Sequence, residues 1–390
     1  MGGMVGGDPS LLRRINSAAV LRALREAGRT PRSLTDLAGA TGLSRPTVEG
    51  VLDGLARSGL VAASEEPAVA AGTRRLGRPA RRFRFRAEAG HVLGVEVGAR
   101  RVAVVLSDLA GRRLGTLVRE VSTAAPAEER LACAARTAAE LLDGHGGPGV
   151  TLRAVGVGSP GIVGPDGSVR LGTALPGWTG LPLRERLGEA LGCPVQVEND
   201  ANAAVLAERW LGAAVGADDV VMVLAGLSPG AGSLIGGRLH RGHGGAAGEI
   251  GALHLLGRQA TPERLLSTSV EPLVPLDEQA VARVFARART GDEGAAQAAE
   301  RFLDRLVHDV AALVLALDPE LVVIGGWAAG LDWVVEPLRA RLERYCLRTP
   351  RVVASVLGAA AVPLGALRLA LDRVEEELFA LPERVTRQER

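Results

Sequence analysis

The chain contains no lysine: all 46 of its basic residues are arginine, set against 44 acidic residues for a formal net charge of +2. With 51 glycines and abundant alanine, this skew fits a compositional bias of the source genome and carries no mechanistic weight. Cysteine is scarce as well. Cys133, Cys193 and Cys346 are odd in number and far apart, which argues against a disulfide framework or a cysteine-rich metal centre and fits a reducing compartment. No apolar run reaches the ~18 residues that span a bilayer. The opening Met1-Gly2-Gly3-Met4-Val5-Gly6-Gly7-Asp8-Pro9 lacks the basic start and apolar core of a secretory signal. These absences predict a cytoplasmic protein without a membrane partner.

What is present implies more than one core. Domains usually run about 100 to 200 residues, and this chain has 390, of which 47% are hydrophobic. Charge is unevenly placed: residues 1–90 hold 15 arginines and 8 acidic residues, a local +7, so the remainder carries −5. A basic N-terminal module of residues 1–88 is expected, followed by a larger part from residue 89 onward.

Within the basic module, Leu12, Ile15, Ala19, Ala23 and Leu24 recur at helical spacing, and Gly28 ends that helix. A second helix is predicted over 34–40. After the turn Thr41-Gly42-Leu43, Ser44 can cap a third helix with Pro46 in its first turn. In that third helix Val48, Val51, Leu52 and Leu55 form the buried stripe, which leaves Arg45, Thr47, Glu49 and Gly50 exposed, the geometry of a helix-turn-helix. Residues 60–63 and 82–85 read as the strands of a wing. Its base carries Arg74, Arg75, Arg78, Arg81, Arg82, Arg84 and Arg86. Such a cluster is either a solvated charged hairpin or a phosphate-neutralising surface with an arginine for the minor groove. Following the helix-turn-helix pattern, it favours double-stranded DNA. Arg45 and Thr47 are the candidates for base edges, Arg57 is a weaker phosphate candidate, Arg78 faces the minor groove, and Ser44, Glu49 and Arg81 complete the DNA-binding candidates.

The later chain is organised around Val197-Glu198-Asn199-Asp200-Ala201-Asn202, a strand end, a polar turn and a helix start. Asn and Asp there can cap the helix or line a cleft for a hydroxylated ligand, with Asp200 accepting a hydroxyl proton. Both readings stand on the hexapeptide alone. Residues 91–98 and 101–106 form one strand, glycine turn, strand unit, and residues 220–237 form a second. A unit used twice implies two α/β lobes facing a cleft, each offering one backbone loop to a phosphate chain.

The segment 34–61, with Leu37-Ala38, Thr41-Gly42-Leu43-Ser44, Thr47-Val48 and Gly59-Leu60-Val61, resembles the winged helix of ROK-family transcriptional regulators, as does Gly77-Arg78-Pro79. The remainder resembles the ROK family through Gly156-Val157-Gly158-Ser159-Pro160-Gly161, Leu175-Pro176-Gly177-Trp178, Glu198-Asn199-Asp200-Ala201-Asn202 and Gly244-Gly245-Ala246-Ala247-Gly248-Glu249-Ile250-Gly251. Asp318-Pro319, Ile324-Gly325-Gly326 and Leu357-Gly358-Ala359-Ala360 fit as well. The resemblance implies an α/β fold in which a winged helix-turn-helix over 1–88 precedes a two-lobed actin- and hexokinase-like domain, with a first lobe over 89–203, a second over 204–390 and C-terminal helices that can pack back on the first. It places Asp200 at the position of the sugar kinases' general base, and Asn199 and Glu249 at sugar-contacting positions.

Departures from the kinase pattern set the expected activity. Glu96 and Ala99-Arg100 stand where those kinases carry an aspartate and a Gly-Thr pair, and Gly226-Leu227-Ser228 replaces a Gly-Thr-Gly element. Phosphoryl transfer rests on positioning and charge neutralisation, so no catalytic residue and no cofactor are expected. The family's structural zinc is expected to be missing: Ala252 replaces its histidine, no cysteine occurs in 255–273, and His243 and His254 alone make no site. Ala252 also removes a sugar contact, and Ala174 replaces an asparagine before Leu175. The expectation is a DNA-binding repressor of carbohydrate-related genes, a homodimer or dimer of dimers on a two-fold operator, responding to a sugar or oligosaccharide effector. The alternatives are an ATP-dependent sugar kinase with a DNA-binding arm and a ligand-insensitive regulator.

Overall fold

The computed structural model describes residues 9–64, 81–145, 151–225, 229–251, 262–269, 271–273, 278–326 and 332–379. The chain opens with α1 (Pro9–Glu26), β1 (Arg32–Ser33), α2 (Leu34–Thr41), α3 (Arg45–Arg57), β2 (Val61–Ser64) and β3 (Arg82–Phe85). The helix ends are set locally. Ser33 and Asp36 form a reciprocal capping box at the start of α2, Gly42 closes it in the left-handed region at φ +69°, and the Ser44 hydroxyl accepts the Thr47 amide at the start of α3. Val48, Val51, Leu52 and Leu55 are buried, the stripe the spacing predicts. The sheet has three strands in the order β1-β3-β2. The two-residue β1, too short to carry a periodic signal, was not foreseen. Arg74, Arg75 and the Gly77-Arg78-Pro79 motif lie outside the described residues.

Two five-stranded sheets follow. The first is built from β4 (Gly90–Val97), β5 (Arg101–Asp108), β6 (Arg113–Glu120), α4 (Ala127–Asp143), β7 (Thr151–Ser159), β8 (Ile162–Val163), β9 (Val169–Leu171), α5 (Leu183–Leu191), β10 (Val195–Asn199) and α6 (Asp200–Leu211). The second comprises β11 (Val220–Ala225), β12 (Gly230–Ile235), β13 (Arg238–Leu239), α7 (Pro262–Leu265), α8 (Glu278–Arg289), α9 (Glu293–Leu317), β14 (Leu321–Gly326), α10 (Asp332–Leu342), β15 (Arg351–Ala354) and α11 (Ala361–Phe379). Their orders, β10-β7-β4-β5-β6 and β15-β14-β11-β12-β13, are the same wiring used twice. In each, an antiparallel three-strand meander is extended on its first strand by two parallel strands. Parallel additions need crossovers, and the helices between these strands supply them. Strands β4 and β5 are buried along nearly their whole length, so they read as continuous apolar runs rather than alternating ones.

The two closing helices cross between the lobes. Helix α6 leaves the first sheet and packs on β11 and β12, α11 leaves the second and packs on β4 and β7, and the two helices pack on each other. Glycine permits the approach. A Cβ at Gly156 of β7 would lie 1.8 Å from the Ala366 carbonyl of α11, and one at Gly365 would lie 1.6 Å from the Ala203 carbonyl of α6; no side chain fits at either distance. A single apolar cluster runs from Val20, Leu24 and Leu52 of the winged helix through Val92 and Val105 to Ala203, Leu367 and Val374. The head therefore shares a core with the lobes instead of hanging from a free tether.

Candidate functional site

On the head, α3 presents Arg45 and Glu49 exposed and Thr47 half-buried. Thr47 is hydrogen-bonded to the Ser44 hydroxyl at 2.8 Å, and Arg45 Nη2 donates to Thr35 Oγ1 at 2.9 Å. Arg57 Nε donates to its own helix at the Asp53 carbonyl, 3.2 Å away, and Arg81 stacks on the Phe83 ring at 5.5 Å. The arginines at the base of the wing divide. Arg82 donates to the Pro31 carbonyl, Arg84 makes a bidentate pair with Glu88, and Arg86 donates to the Gly59 carbonyl. Arg82 and Arg86 tie the wing to earlier turns of the head, and Arg84 is engaged locally. Arg78 lies outside the described residues.

In the lobes, the β10 to α6 junction answers the choice left by the hexapeptide for one residue. Asn199 is the helix cap: its Oδ1 accepts the amides of Ala201 at 2.9 Å and Asn202 at 3.2 Å, and its Nδ2 donates to the Gly161 carbonyl at 3.1 Å. One N–H of that amide remains for a ligand. Asp200 is different in kind. Desolvation raises its pKa against the pull of the Ala201 amide and of Asn199. Glu249 is raised too, first by desolvation and then by the Asp200 charge. Two carboxylates near one another and drawn from water hold a repulsion that hydroxyl donors would relieve.

Glu249 arrives from the second lobe on a loop shaped by glycine. Gly248, at φ +89°, has no room for a Cβ because the Ala231 carbonyl of β12 would lie 1.8 Å away, and the Ala231 amide donates to the Gly248 carbonyl at 2.8 Å. The same loop sends Arg241 back across the cleft, where its Nε donates to Glu198 Oε2 at 2.7 Å. Glu198 is buried, and its other oxygen accepts from Asn202 Nδ2 at 2.9 Å and the Asn199 amide at 3.0 Å. This interlobe tie was missed from sequence, because a pair separated by 43 residues leaves no local pattern. The Leu175-Pro176-Gly177-Trp178 motif is a packing device: Trp178 is completely buried and donates Nε1 to Ser159 Oγ at 2.8 Å. Ala174 is exposed.

The turn between β4 and β5 is held by its own side chains. Arg101 donates to both Glu96 oxygens, at 3.2 and 2.7 Å, and from Nη2 to the Ala359 carbonyl at 2.7 Å. Arg130, fully buried, donates to the carbonyls of Gly98, Ser122, Thr123 and Ala125. The Gly98 amide is used as well, on the Arg101 carbonyl. Gly226-Leu227-Ser228, Ala252 and His254 lie outside the described residues, and His243 is exposed.

Comparison with known proteins divides along the same boundary. The ROK family model matches residues 92–373, and the IclR helix-turn-helix domain matches residues 16–65. A xylose repressor of Caldicellulosiruptor bescii is 24% identical over 97% of this chain and 99% of its own. A glucokinase of Thermotoga maritima is 30% identical over 73% of this chain and 98% of its own, so it has no counterpart to the head. Among solved structures, a ROK family transcriptional regulator described as a homologue of the E. coli MLC protein superposes with a TM-score of 0.68 at 20% identity, covering 95% of this chain and 98% of that one. With its lobes matched along most of their length and an IclR-type helix-turn-helix in front of them, this chain belongs to the ROK family.

Proposed function

We propose that the protein is a DNA-binding transcriptional regulator of repressor type, released from a two-fold operator when a sugar or oligosaccharide occupies the cleft at Asp200 and Glu249. The observation that carries this reading is the exposed face of α3, with Arg45 and Glu49 free of the core, on a head that shares its core with the ligand-type lobes. Likeness to a xylose repressor along nearly the whole chain supports it. In this reading Arg45 and Thr47 approach base edges, Ser44 and Glu49 flank them, Arg57 and Arg81 approach phosphates, and Arg78 enters the minor groove. The active form is a homodimer or dimer of dimers in the cytoplasm, and its targets are carbohydrate-related genes.

Energetics set the size of the effector. Moving a mostly DNA-competent population to a mostly incompetent one takes on the order of 5 kcal/mol of differential affinity. Hydrogen bonds to charged groups contribute about 1.5 to 3 kcal/mol each before ordering costs. With Asn199 largely spent on its cap, the two carboxylates alone leave little margin, which favours a ligand larger than one hexose.

The second reading, an ATP-dependent sugar kinase with a DNA-binding arm, draws on the likeness to the Thermotoga maritima glucokinase and on the retained Asp200. Against it counts the engagement of Arg101 with Glu96 and with the Ala359 carbonyl, at the turn that the resemblance likens to a phosphate loop, where phosphoryl transfer would call for free donors. The deciding experiment selects duplexes from a random pool on the full chain, then measures their release by D-xylose, D-glucose and their oligosaccharides, alongside ATP consumption with the same sugars. Sugar-dependent release without turnover is the expected result. Turnover that disappears in Asp200→Asn would establish the kinase instead.

A further inference from the structure

The cleft and the seat of the head are ends of one connected structure. Helix α6 begins at Asp200 and ends one residue after Trp210. The guanidinium carbon of Arg368, on α11, lies 5.3 Å from the Trp210 ring centroid. A Cβ at Gly111, in the turn between β5 and β6, would lie 3.1 Å from the same indole and 3.2 Å from Leu371 of α11, so Trp210 is held between that turn and α11. Arg368 donates Nη2 to Glu375 Oε1 at 2.5 Å and Nε to Asp372 Oδ1 at 2.9 Å. The same Glu375 oxygen accepts Nη2 of Arg25, from α1 of the head, at 2.6 Å. One carboxylate oxygen is thus shared by guanidinium groups from α11 and α1, with Arg368 only 16% exposed, Arg25 20% and Glu375 28%.

Two features make this junction able to take a second arrangement. A cavity of about 720 Å³ opens beside it, lined by Arg22, Arg25, Glu26, Asp372, Glu375 and Glu376. It offers Arg25 other carboxylates to pair with if α11 and α1 slide against each other. Helices α6 and α11, by contrast, cannot slide freely, because the Gly365 backbone lies directly on the Ala203 carbonyl. A displacement of α6 therefore carries α11 with it, and the junction with α1 is where the movement is taken up.

We propose that Arg368, stacked on Trp210 and joined through Glu375 to Arg25, is a positioning relay by which occupancy at the Asp200 end of α6 sets the seat of the winged-helix head. This rests on the regulator reading above. It names the contact that transmits the signal, with two discrete pairings of Arg25 as the bistable element that coupling requires.

Two measurements on the full chain test it. The first needs no ligand: amide hydrogen exchange in α1 for wild type, Trp210→Leu, Glu375→Gln and the double variant. Each single variant should speed exchange in the second half of α1 several-fold, and the double variant should do no more than the larger single one, as for residues in one network. Unchanged protection in Trp210→Leu, or additive effects, would overturn the relay. The second uses D-xylose, D-glucose and their oligosaccharides as probes on a duplex selected with wild type. In Glu375→Gln the sugar should bind as tightly as before while its effect on DNA affinity is lost, and Glu375→Asp should restore part of that effect. Equal release from wild type and Glu375→Gln contradicts the relay. Absence of release from wild type contradicts the regulator reading instead, and the exchange data then decide the relay on their own.

Discussion

At the scale of single residues, Asp200 and Glu249 are the proposed ligand acceptors, and their protonation gives a signed prediction. Both pKa values are raised in the folded protein, by desolvation and, for Glu249, also by the Asp200 charge. A raised folded value contributes stability at pH below the ordinary carboxylate value, and that stability is lost as pH climbs through the folded value. Asp200→Asn removes the loss. The variant should therefore melt above wild type at pH 7, and the gap should close as pH falls toward the ordinary aspartate value of 3.8. Thermal unfolding across pH checks this, and a variant that melts below wild type at neutral pH contradicts it. Sugar binding, which needs the charged acceptors, should strengthen over the same rise in pH. On the head, Arg45→Ala should relax sequence preference and cost about 1 to 3 kcal/mol with the selected duplex, seen as a flattened ratio of specific to nonspecific affinity.

The residue scale also shows where reading the sequence stopped. Asp200 and Glu249 stand out by type and neighbours, and their carboxylates are brought near each other across the two lobes. Asn199 does not stand out, because an asparagine at a strand end fits a cap or a ligand equally well, and only the distances to Ala201 and Asn202 show the cap. The arginines at the base of the wing look alike in sequence. Whether each faces a carbonyl, as Arg82 and Arg86 do, or solvent, as Arg81 does, depends on a turn 27 or more residues away.

At the scale of elements, the periodicity of α3 and the apolar runs of β4, β5 and β11 identify themselves, and the repeated strand, glycine turn, strand unit marks both sheets. What no local pattern specifies is that α6 and α11 exchange lobes. That arrangement depends on glycines at Gly94, Gly156, Gly232 and Gly365, each facing a backbone atom of a distant helix or strand. Gly365→Leu should consequently yield little folded protein, measured as soluble full-length chain with a cooperative melt, because its Cβ alone would overlap the Ala203 carbonyl. Trp178→Ala should cost about 3 to 5 kcal/mol from the cavity and the lost Ser159 partner, seen in denaturant unfolding. Near-normal stability of Gly365→Leu would mean that this approach is not what holds the lobes together, and near-normal stability of Trp178→Ala that the indole is not what holds the first lobe's core.

At the scale of the whole molecule, the head is fixed by a shared core and by the Arg25 to Glu375 ion pair, so in the proposed dimer lobe movement would have a route to the spacing of two heads. Dimeric helix-turn-helix proteins read half-sites about 10 to 10.5 base pairs apart or multiples of that, and small rotations of the lobes suffice to spoil such a register. The most direct test of this account is a titration of the selected duplex by fluorescence anisotropy on wild type and Asp200→Ala, with and without the sugar that binds wild type. The account predicts that both proteins bind the duplex with similar affinity and that sugar releases it from wild type alone. Release of Asp200→Ala at the wild-type sugar concentration would show that the cleft is not the sensor.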